Sequence, residues 1–190
     1  MVRGRARGKH KSIYRSKGVD LIRIFSLDLS VSSTGWAYYD STTKTVLGCG
    51  KIQTNKKDFV SEDERINHIV DEIRKIIEDL SVGKKQAEII GIENQFVGKS
   101  FSIMVLRKLL GCVVRMAYKE LHIGVVYIAP TSVKKYVTGK GKADKSEVAE
   151  VIKEKYYDPG EYSDKPGKNK TSDIYDAIGI AIALGETLND

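Results

Sequence analysis

The alternation of apolar and polar positions predicts five β-strands. Residues 22–28 form an apolar run that ends in an acid, as expected of a first strand. Segments 35–40 and 45–52 are rich in aromatic and β-branched residues, and the short polar stretch between them predicts an antiparallel pair. Two later runs, 87–93 and 125–129, predict a fourth and a fifth strand.

A change of period marks the helices. Apolar residues over 66–80 recur at intervals of three and four, and Ser61 with Glu64 has the spacing of a capping box. Residues 100–121 predict a second long helix whose apolar surface is broader than one core-facing side requires. The last helix is predicted over 172–187.

Shorter elements fill the rest of the second half. Thr131 or Ser132 can cap a short helix that runs through Tyr136, and Asp144 is expected to open another. Residues 158–171, which contain prolines, glycines and lysines, predict a mobile loop. Because the sequence contains no internal repeat, we expect a single domain over 19–190.

The element order is three strands, helix, strand, helix, strand and then helices. This order resembles the ribonuclease H-like arrangement, an α/β fold in which a mixed five-stranded sheet is flanked by helices on both faces. In that layout the ends of the first and fourth strands lie side by side, and the C-terminal helix packs next to them.

Four acidic residues occupy informative positions. Asp28 closes the first predicted strand and Glu93 the fourth, whereas Asp173 and Asp176 are three apart and share one helix face. Each has a structural alternative, such as a turn for Asp28 or a favourable helix N-terminus for Asp173. However, Asp176 begins the small, apolar stretch 176–183, and a buried acid needs a cation or a hydrogen bond. Together the four acids predict a metal-dependent active site.

The net charge of +7 comes from the N-terminus. Seven of the 32 Lys and Arg residues precede the first acid, Asp20, and the remaining 25 balance the 25 Asp and Glu residues. We therefore expect residues 1–18 to be a disordered basic arm that tethers nucleic acid, although a solubilising or mitochondrial targeting tail is the alternative.

Composition excludes several other classes of protein. With 41% hydrophobic and 30% charged residues, the chain has a globular composition, without a predicted membrane span or signal peptide. Cys49 and Cys112 form no ligand cluster, which argues against zinc and indicates free, mostly buried thiols in a reducing compartment.

Several blocks, in this order, resemble the RuvC-like Holliday junction resolvases, including those encoded by bacteriophages. The resemblance extends from Leu21 to Leu184, and the family's usual Pro-Gly after the first acid is replaced here by Leu29-Ser30. The blocks are Asp28 with 33–37, the acidic block 92–96, the basic blocks 129–135 and 139–145, and the C-terminal block 173–183.

The resemblance implies a two-metal nuclease site. Asp28, Glu93, Asp173 and Asp176 are then the ligands of two Mg²⁺ or Mn²⁺ ions per active site, with Asp28 bridging both. An all-carboxylate set suits hard cations rather than zinc or copper. Since no histidine lies near these blocks, water activated at the metal is the expected nucleophile.

The resemblance also assigns roles to basic and aromatic residues. Lys145 and Lys134 are expected to be catalytic and to stabilise the scissile phosphate, with solvated surface lysines as the alternative. Phe96 is expected to stack on unpaired junction bases, although core packing is an alternative. Further contacts to the DNA backbone are expected from Lys135, Lys140 and Lys142.

The function so implied is a structure-selective endonuclease that resolves four-way DNA by paired symmetric nicks. A homodimer would match the near two-fold symmetry of the junction, with its interface on residues 100–121. A cytoplasmic location is expected, in the host cytoplasm if a phage encodes the protein, and secretion is not.

Three alternatives remain at this point. A broader ribonuclease H-like nuclease that acts on flaps, branched DNA or RNA–DNA hybrids has the same metal chemistry. An actin-like ATPase also begins with a strand-end acid, but its two lobes need a longer chain. A non-catalytic DNA-binding module would gain nothing from four acids beside phosphate.

Overall fold

The structure is a computed structural model that describes residues 22–82, 86–94, 100–163, 165 and 170–189. The expected basic arm, residues 1–18, lies outside the described residues, as does part of the loop 158–171.

A mixed five-stranded sheet forms the centre of the molecule, in the order β3-β2-β1-β4-β5. The first three strands pair antiparallel, whereas β1–β4 and β4–β5 pair parallel. This confirms the predicted fold class. The strands are β1 (Arg23–Asp28), β2 (Ser33–Asp40), β3 (Thr45–Gln53), β4 (Ile89–Glu93) and β5 (Gly124–Ile128).

Five α-helices connect and cover these strands in the described part of the chain. A short 3₁₀ turn, Lys56–Asp58, precedes the first, and a π-helical turn, Ala117–Leu121, continues the second. The helices are α1 (Glu62–Ser81), α2 (Phe101–Met116), α3 (Pro130–Thr138), α4 (Lys145–Lys155) and α5 (Ser172–Asn189).

Two of the three predicted helix starts are confirmed by their capping bonds. The Ser61 side chain accepts a hydrogen bond from the backbone N–H of Glu64 at 3.1 Å, and the Glu64 carboxylate accepts one from the N–H of Val60 at 2.7 Å. Asp144 accepts a bond from the N–H of Glu147 at 2.8 Å. These bonds satisfy backbone donors that an uncapped helix leaves unpaired.

The start predicted for α3 was wrong. The helix begins at Pro130, with Ala129 at the cap position and no side-chain capping bond, so Thr131 and Ser132 lie inside its first turn. Proline at the first helical position has no N–H to satisfy and already has a helical φ. A side-chain cap is therefore less needed at this end.

The sheet separates two apolar cores. Consecutive residues of a strand point to opposite faces, so Ile24 packs with α5, α3 and α4, whereas Phe25 packs with α1 and α2. Both side chains are fully buried. The expected helices on both faces are confirmed.

Helix α5 lies very close to the sheet at its N-terminal end. A Cβ atom on Gly35 of β2 would be 1.9 Å from the carbonyl oxygen of Asp173, so only glycine permits this approach. One turn further, Ser26 of β1 donates a hydrogen bond to the carbonyl oxygen of Ala177 at 2.7 Å. These contacts set the position of the helix over the ends of β1 and β2.

Cys49 and Cys112 are free and half-buried, so they are more accessible than predicted. None of the described helices combines the length and the apolar character needed to cross a membrane.

Candidate active site

Two of the four acids meet because parallel strands end at the same edge of the sheet. Asp28 is the last residue of β1, and Glu93 is the last residue of β4. Leu27 and Ile92, the residues before them, face each other in the β1–β4 register. The two carboxylates therefore extend from neighbouring strand ends.

Helix α5 brings the other two acids to this edge. Gly35 is the register partner of Asp28 on β2, and it also contacts the backbone of Asp173. Asp176 lies one turn further along α5. Asp28, Glu93, Asp173 and Asp176 thus come together from three elements, at a place called the acidic site below.

The charges of the other three acids act on Asp28. Burial, and after it the charges of Asp176 and Asp173, raise the pKa of Asp28 to about 8. Glu93 acts in the same direction, and Lys145 opposes the shift. Without a divalent cation, Asp28 therefore retains a proton near neutral pH.

The other shifts identify the cations that face the site. Burial and the charge of Asp176 raise the pKa of Glu93, whereas Lys145 and Lys134 lower it. The pKa of Asp176 is raised by burial, although Lys145 opposes this. Both predicted catalytic lysines thus act electrostatically on the acids.

Lys145 is directly bonded to the acidic site. Its ammonium is 2.5 Å from Oδ2 of Asp176, although it is the first residue of α4, where a positive charge is unfavourable. Burial alone would lower the pKa of Lys145, but the charge and hydrogen bond of Asp176 outweigh it and raise the pKa. This carboxylate explains how a lysine is tolerated at the helix start.

Asp173 has a different partner that the sequence reasoning missed. Nζ of Lys170 is 2.6 Å from its Oδ1, and its Oδ2 is buried without a hydrogen bond to any described residue. Lys170 belongs to the segment expected to be a mobile loop. The only sequence signal was its place three residues before Asp173.

The donor set fits a hard divalent cation. In the described part of the chain, no three acidic, histidine or cysteine side chains are already close enough to form a metal cage. Lys145 and Lys170 are the cations that the carboxylates hold instead. Four carboxylates at one edge, one with an orphaned buried oxygen, match the oxygen ligands that Mg²⁺ and Mn²⁺ prefer.

Comparison with known proteins identifies the family of this chain. The family model described as "Crossover junction endodeoxyribonuclease RuvC" matches residues 24–184, which include all four acids. The chain belongs to the RuvC family. Two relatives named as crossover junction endodeoxyribonuclease RuvC are also similar to this chain, one from Fusobacterium nucleatum and one from a Wolbachia of Brugia malayi.

The first relative is 26% identical over 88% of this chain and 84% of its own length. The second is 30% identical over 70% of this chain and 80% of its own length. Both alignments therefore span most of the chain and most of each relative.

Two solved structures have the same fold. A structure of Thermus thermophilus RuvC matches with a TM-score of 0.67 and 18% identity, over 88% of this chain and 96% of that one. T. thermophilus RuvC in complex with Holliday junction substrate matches with a TM-score of 0.66 and 19% identity, over 85% and 92%.

The turn after the first acid departs from the family pattern and has its own local structure. Ser30 replaces the usual glycine, and its Oγ accepts hydrogen bonds from the N–H groups of Ser32 and Ser33 at 3.3 and 3.4 Å. Thr34 donates to the Ser30 carbonyl at 2.6 Å. Side-chain hydrogen bonds therefore form this turn.

A cleft that the sequence gave no sign of lies beside this turn. It has a volume of 330 Å³ and is lined by residues 29–32, by Glu62 and Arg65 of α1, and by Phe101 of α2. Its lining therefore includes Leu29, the residue after Asp28, and the first turns of α2.

The remaining candidate residues of this RuvC-family chain occupy more exposed positions. Lys134 is half-buried on α3, whereas Lys135 is exposed on the same helix. Lys140 and Lys142 are exposed in the turn that follows, and the ammonium of Lys140 bonds Glu147 at 2.6 Å. Phe96 lies outside the described residues.

The broad apolar surface of 100–121 is divided between core and solvent. Leu109 and Val113 are fully buried on the side of α2 that packs against α1. Phe101 and Met104 are 70% and 56% exposed, and a Cβ atom on Gly111 would meet no described residue within 4 Å. This exposed side, which carries Phe101, Met104 and Gly111, is called the α2 face below.

Proposed function

We propose that this protein is an endodeoxyribonuclease that resolves four-way DNA junctions by paired symmetric nicks. The observation that carries the proposal is the convergence of Asp28, Glu93, Asp173 and Asp176 beside Lys145, in a chain of the RuvC family. T. thermophilus RuvC in complex with Holliday junction substrate has the same fold, which supports this substrate class.

The four carboxylates would hold two Mg²⁺ or Mn²⁺ ions, with Asp28 at the centre of the set. When bound, such ions supply the Lewis-acid stabilisation that phosphodiester hydrolysis needs. The raised pKa of Asp28 supports this assignment, because a carboxyl surrounded by three others loses its proton readily only when a cation compensates its charge.

Lys145 and Lys134 would act on the scissile phosphate. In the free protein Lys145 is bonded to Asp176, whose charge it partly neutralises. Once cations compensate the acids, this ammonium can instead pair with a phosphate oxygen at the same edge. Lys134 acts on Glu93 from α3 and so lies within electrostatic reach of the same anion.

The exposed basic residues would position the DNA. Lys135, Lys140 and Lys142 lie on α3 and on the turn that leads into α4, whose first residue is Lys145. Contacts from such lysines to the phosphate backbone fix the register of the duplex arms without reading their sequence. Phe96 would stack on unpaired bases at the branch point, and the arm 1–18 would add unspecific affinity.

A homodimer formed through the α2 face would place two acidic sites on opposite strands of the junction. Phe101 and Met104, three residues apart on α2, support this interface, since neighbouring exposed apolar side chains form the kind of patch that marks a contact surface. A C2 pair also matches the symmetry of the substrate.

A substrate panel tests the proposal. The protein is incubated with Mg²⁺ and end-labelled four-way junctions, flaps, duplexes and RNA–DNA hybrids of shared arm sequence, and the initial rates are compared. Cleavage confined to the junction is expected. Equal rates on flaps or hybrids would instead indicate a broader ribonuclease H-like nuclease, and tight binding without cutting a DNA-binding module.

A further inference from the structure

Asp173 lies where a carboxylate is difficult to accommodate. Its side chain is 5% exposed, and Oδ2 has no hydrogen-bond partner among the described residues. A buried carboxylate requires compensation. The ammonium of Lys170, 2.6 Å from Oδ1, provides it.

Lys170 is held at this place through its backbone. Lys51 of β3 donates a hydrogen bond from Nζ to the carbonyl oxygen of Lys170 at 2.6 Å. Lys51 is also the register partner of Gly35, which contacts the backbone of Asp173. The sheet thus supports both Asp173 and the residue that carries its counter-ion.

Hydrogen bonds on the N-terminal side of α5 fix the same segment. The carbonyl of Ser163 accepts bonds from the N–H groups of Thr171 and Ser172 at 2.9 and 3.0 Å. The hydroxyl of Thr171 accepts a bond from the N–H of Ser163 at 2.9 Å and donates to the carbonyl of Glu161 at 2.6 Å. These bonds join residues 161–163 to residues 171–172 at the start of α5, next to Lys170, and this hydrogen-bonded junction is called the neck below.

We propose that Lys170 is a positioning residue that acts through Asp173 as the resident counter-ion of the metal-free acidic site. It keeps the site assembled without a divalent cation and competes with that cation for the Asp173 carboxylate. This inference rests on the proposed metal-dependent function, and Lys170 has no part in the ligand set itself.

Removing the positive charge of Lys170 should tighten the binding of a divalent cation at the acidic site. An ammonium within a few ångströms of a cation site repels the divalent ion, and we expect this repulsion to exceed any gain from orienting the carboxylate. Replacing Lys170 by glutamine should therefore tighten cation binding by about tenfold, after allowance for solvent screening at a side chain that is 32% exposed. Arginine keeps the charge and should leave the affinity near the wild-type value.

Calorimetric titration with Mn²⁺ alone tests this on the full chain in the absence of DNA. The variants are Lys170→Gln, Lys170→Arg and the control Lys44→Gln. Lys44 is also an ion-paired lysine, 2.7 Å from Glu186, but it lies in the β2–β3 turn at the opposite end of the sheet from Asp28. We expect tighter binding only for Lys170→Gln.

Thermal melting provides the second readout. In EDTA, Lys170→Gln should melt below the wild type because Asp173 has lost its partner, and added Mn²⁺ should raise its melting temperature more than that of the wild type. Both shifts should be absent in Lys44→Gln.

The outcomes separate this inference from the proposed function. Lys170→Gln binding Mn²⁺ as Lys44→Gln does, or more weakly, would overturn the counter-ion role and leave the metal site standing. A wild-type protein that binds no Mn²⁺ would overturn both.

Discussion

Replacement of Asp28 by asparagine should stabilise the metal-free protein, and increasingly so as the pH rises. Asparagine has nearly the same shape but no charge to bury. The pKa of Asp28 is raised from 3.8 to about 8, so the folded state retains a proton that the unfolded chain releases. The free-energy cost of ionising Asp28 in the folded protein is absent below about pH 4, grows through neutral pH and is complete above about pH 8.

The size of the effect follows from this window. Between pH 5 and pH 8, ionisation of Asp28 lowers the free energy of unfolding of the wild type by at most about 4 kcal/mol, at about 1.36 kcal/mol per pH unit. Since Asp28 titrates together with its acidic neighbours, we expect about 2 kcal/mol of relative stabilisation of Asp28→Asn over this interval.

Urea unfolding in EDTA at pH 5 and pH 8.5 measures the difference, with Asp71→Asn as an exposed control. The free energy of unfolding of Asp28→Asn should exceed that of the wild type by more at pH 8.5 than at pH 5. Addition of Mg²⁺ should stabilise the wild type more than the variant. If the free energy of unfolding changed equally with pH in the wild type and in Asp28→Asn, the reasoning would be refuted.

Three further predictions concern other parts of the molecule. Gly35→Ala should destabilise the protein by about 3 kcal/mol in urea unfolding, because its Cβ would overlap the α5 backbone, whereas Gly48→Ala, whose nearest neighbours would be 3.6 Å away, should be nearly neutral. Lys145→Ala should slow single-turnover junction cleavage by about 100-fold with little change in junction affinity, and an unchanged rate would exclude it from phosphate stabilisation. Phe101→Glu should shift sedimentation from dimer to monomer while Tyr157→Glu, at another exposed aromatic, should not; a wild-type monomer would contradict the α2 face as an interface.

The four acids could be selected as candidate site residues because the evidence lies in the residues next to each of them in the sequence. Asp28 and Glu93 each end an apolar run. The helix that carries Asp176 has small and apolar residues on almost all sides, which predicts a close approach to the sheet. In the sheet, β1 pairs with β4 in parallel, and this pairing places the ends of the two strands, with Asp28 and Glu93, side by side.

The missed features depend on contacts between distant segments. Lys170 belongs to a polar segment, and its position depends on Lys51, which bonds its carbonyl, and on Ser163, which bonds the residues that follow it. Such a hydrogen-bonded neck leaves no periodic pattern in the sequence. The start of α3 was missed for a different reason, since Pro130 makes a side-chain cap unnecessary.

The position of the nicks on a synthetic four-way junction tests the central claim most directly. With Mg²⁺, the wild type should nick two opposed strands at symmetry-related positions, mapped at nucleotide resolution. Asp28→Asn and Glu93→Gln should bind the same junction but not cut it. Scattered or unpaired nicks, or either variant cutting at the wild-type rate, would contradict the account of a two-metal junction resolvase built on these acids.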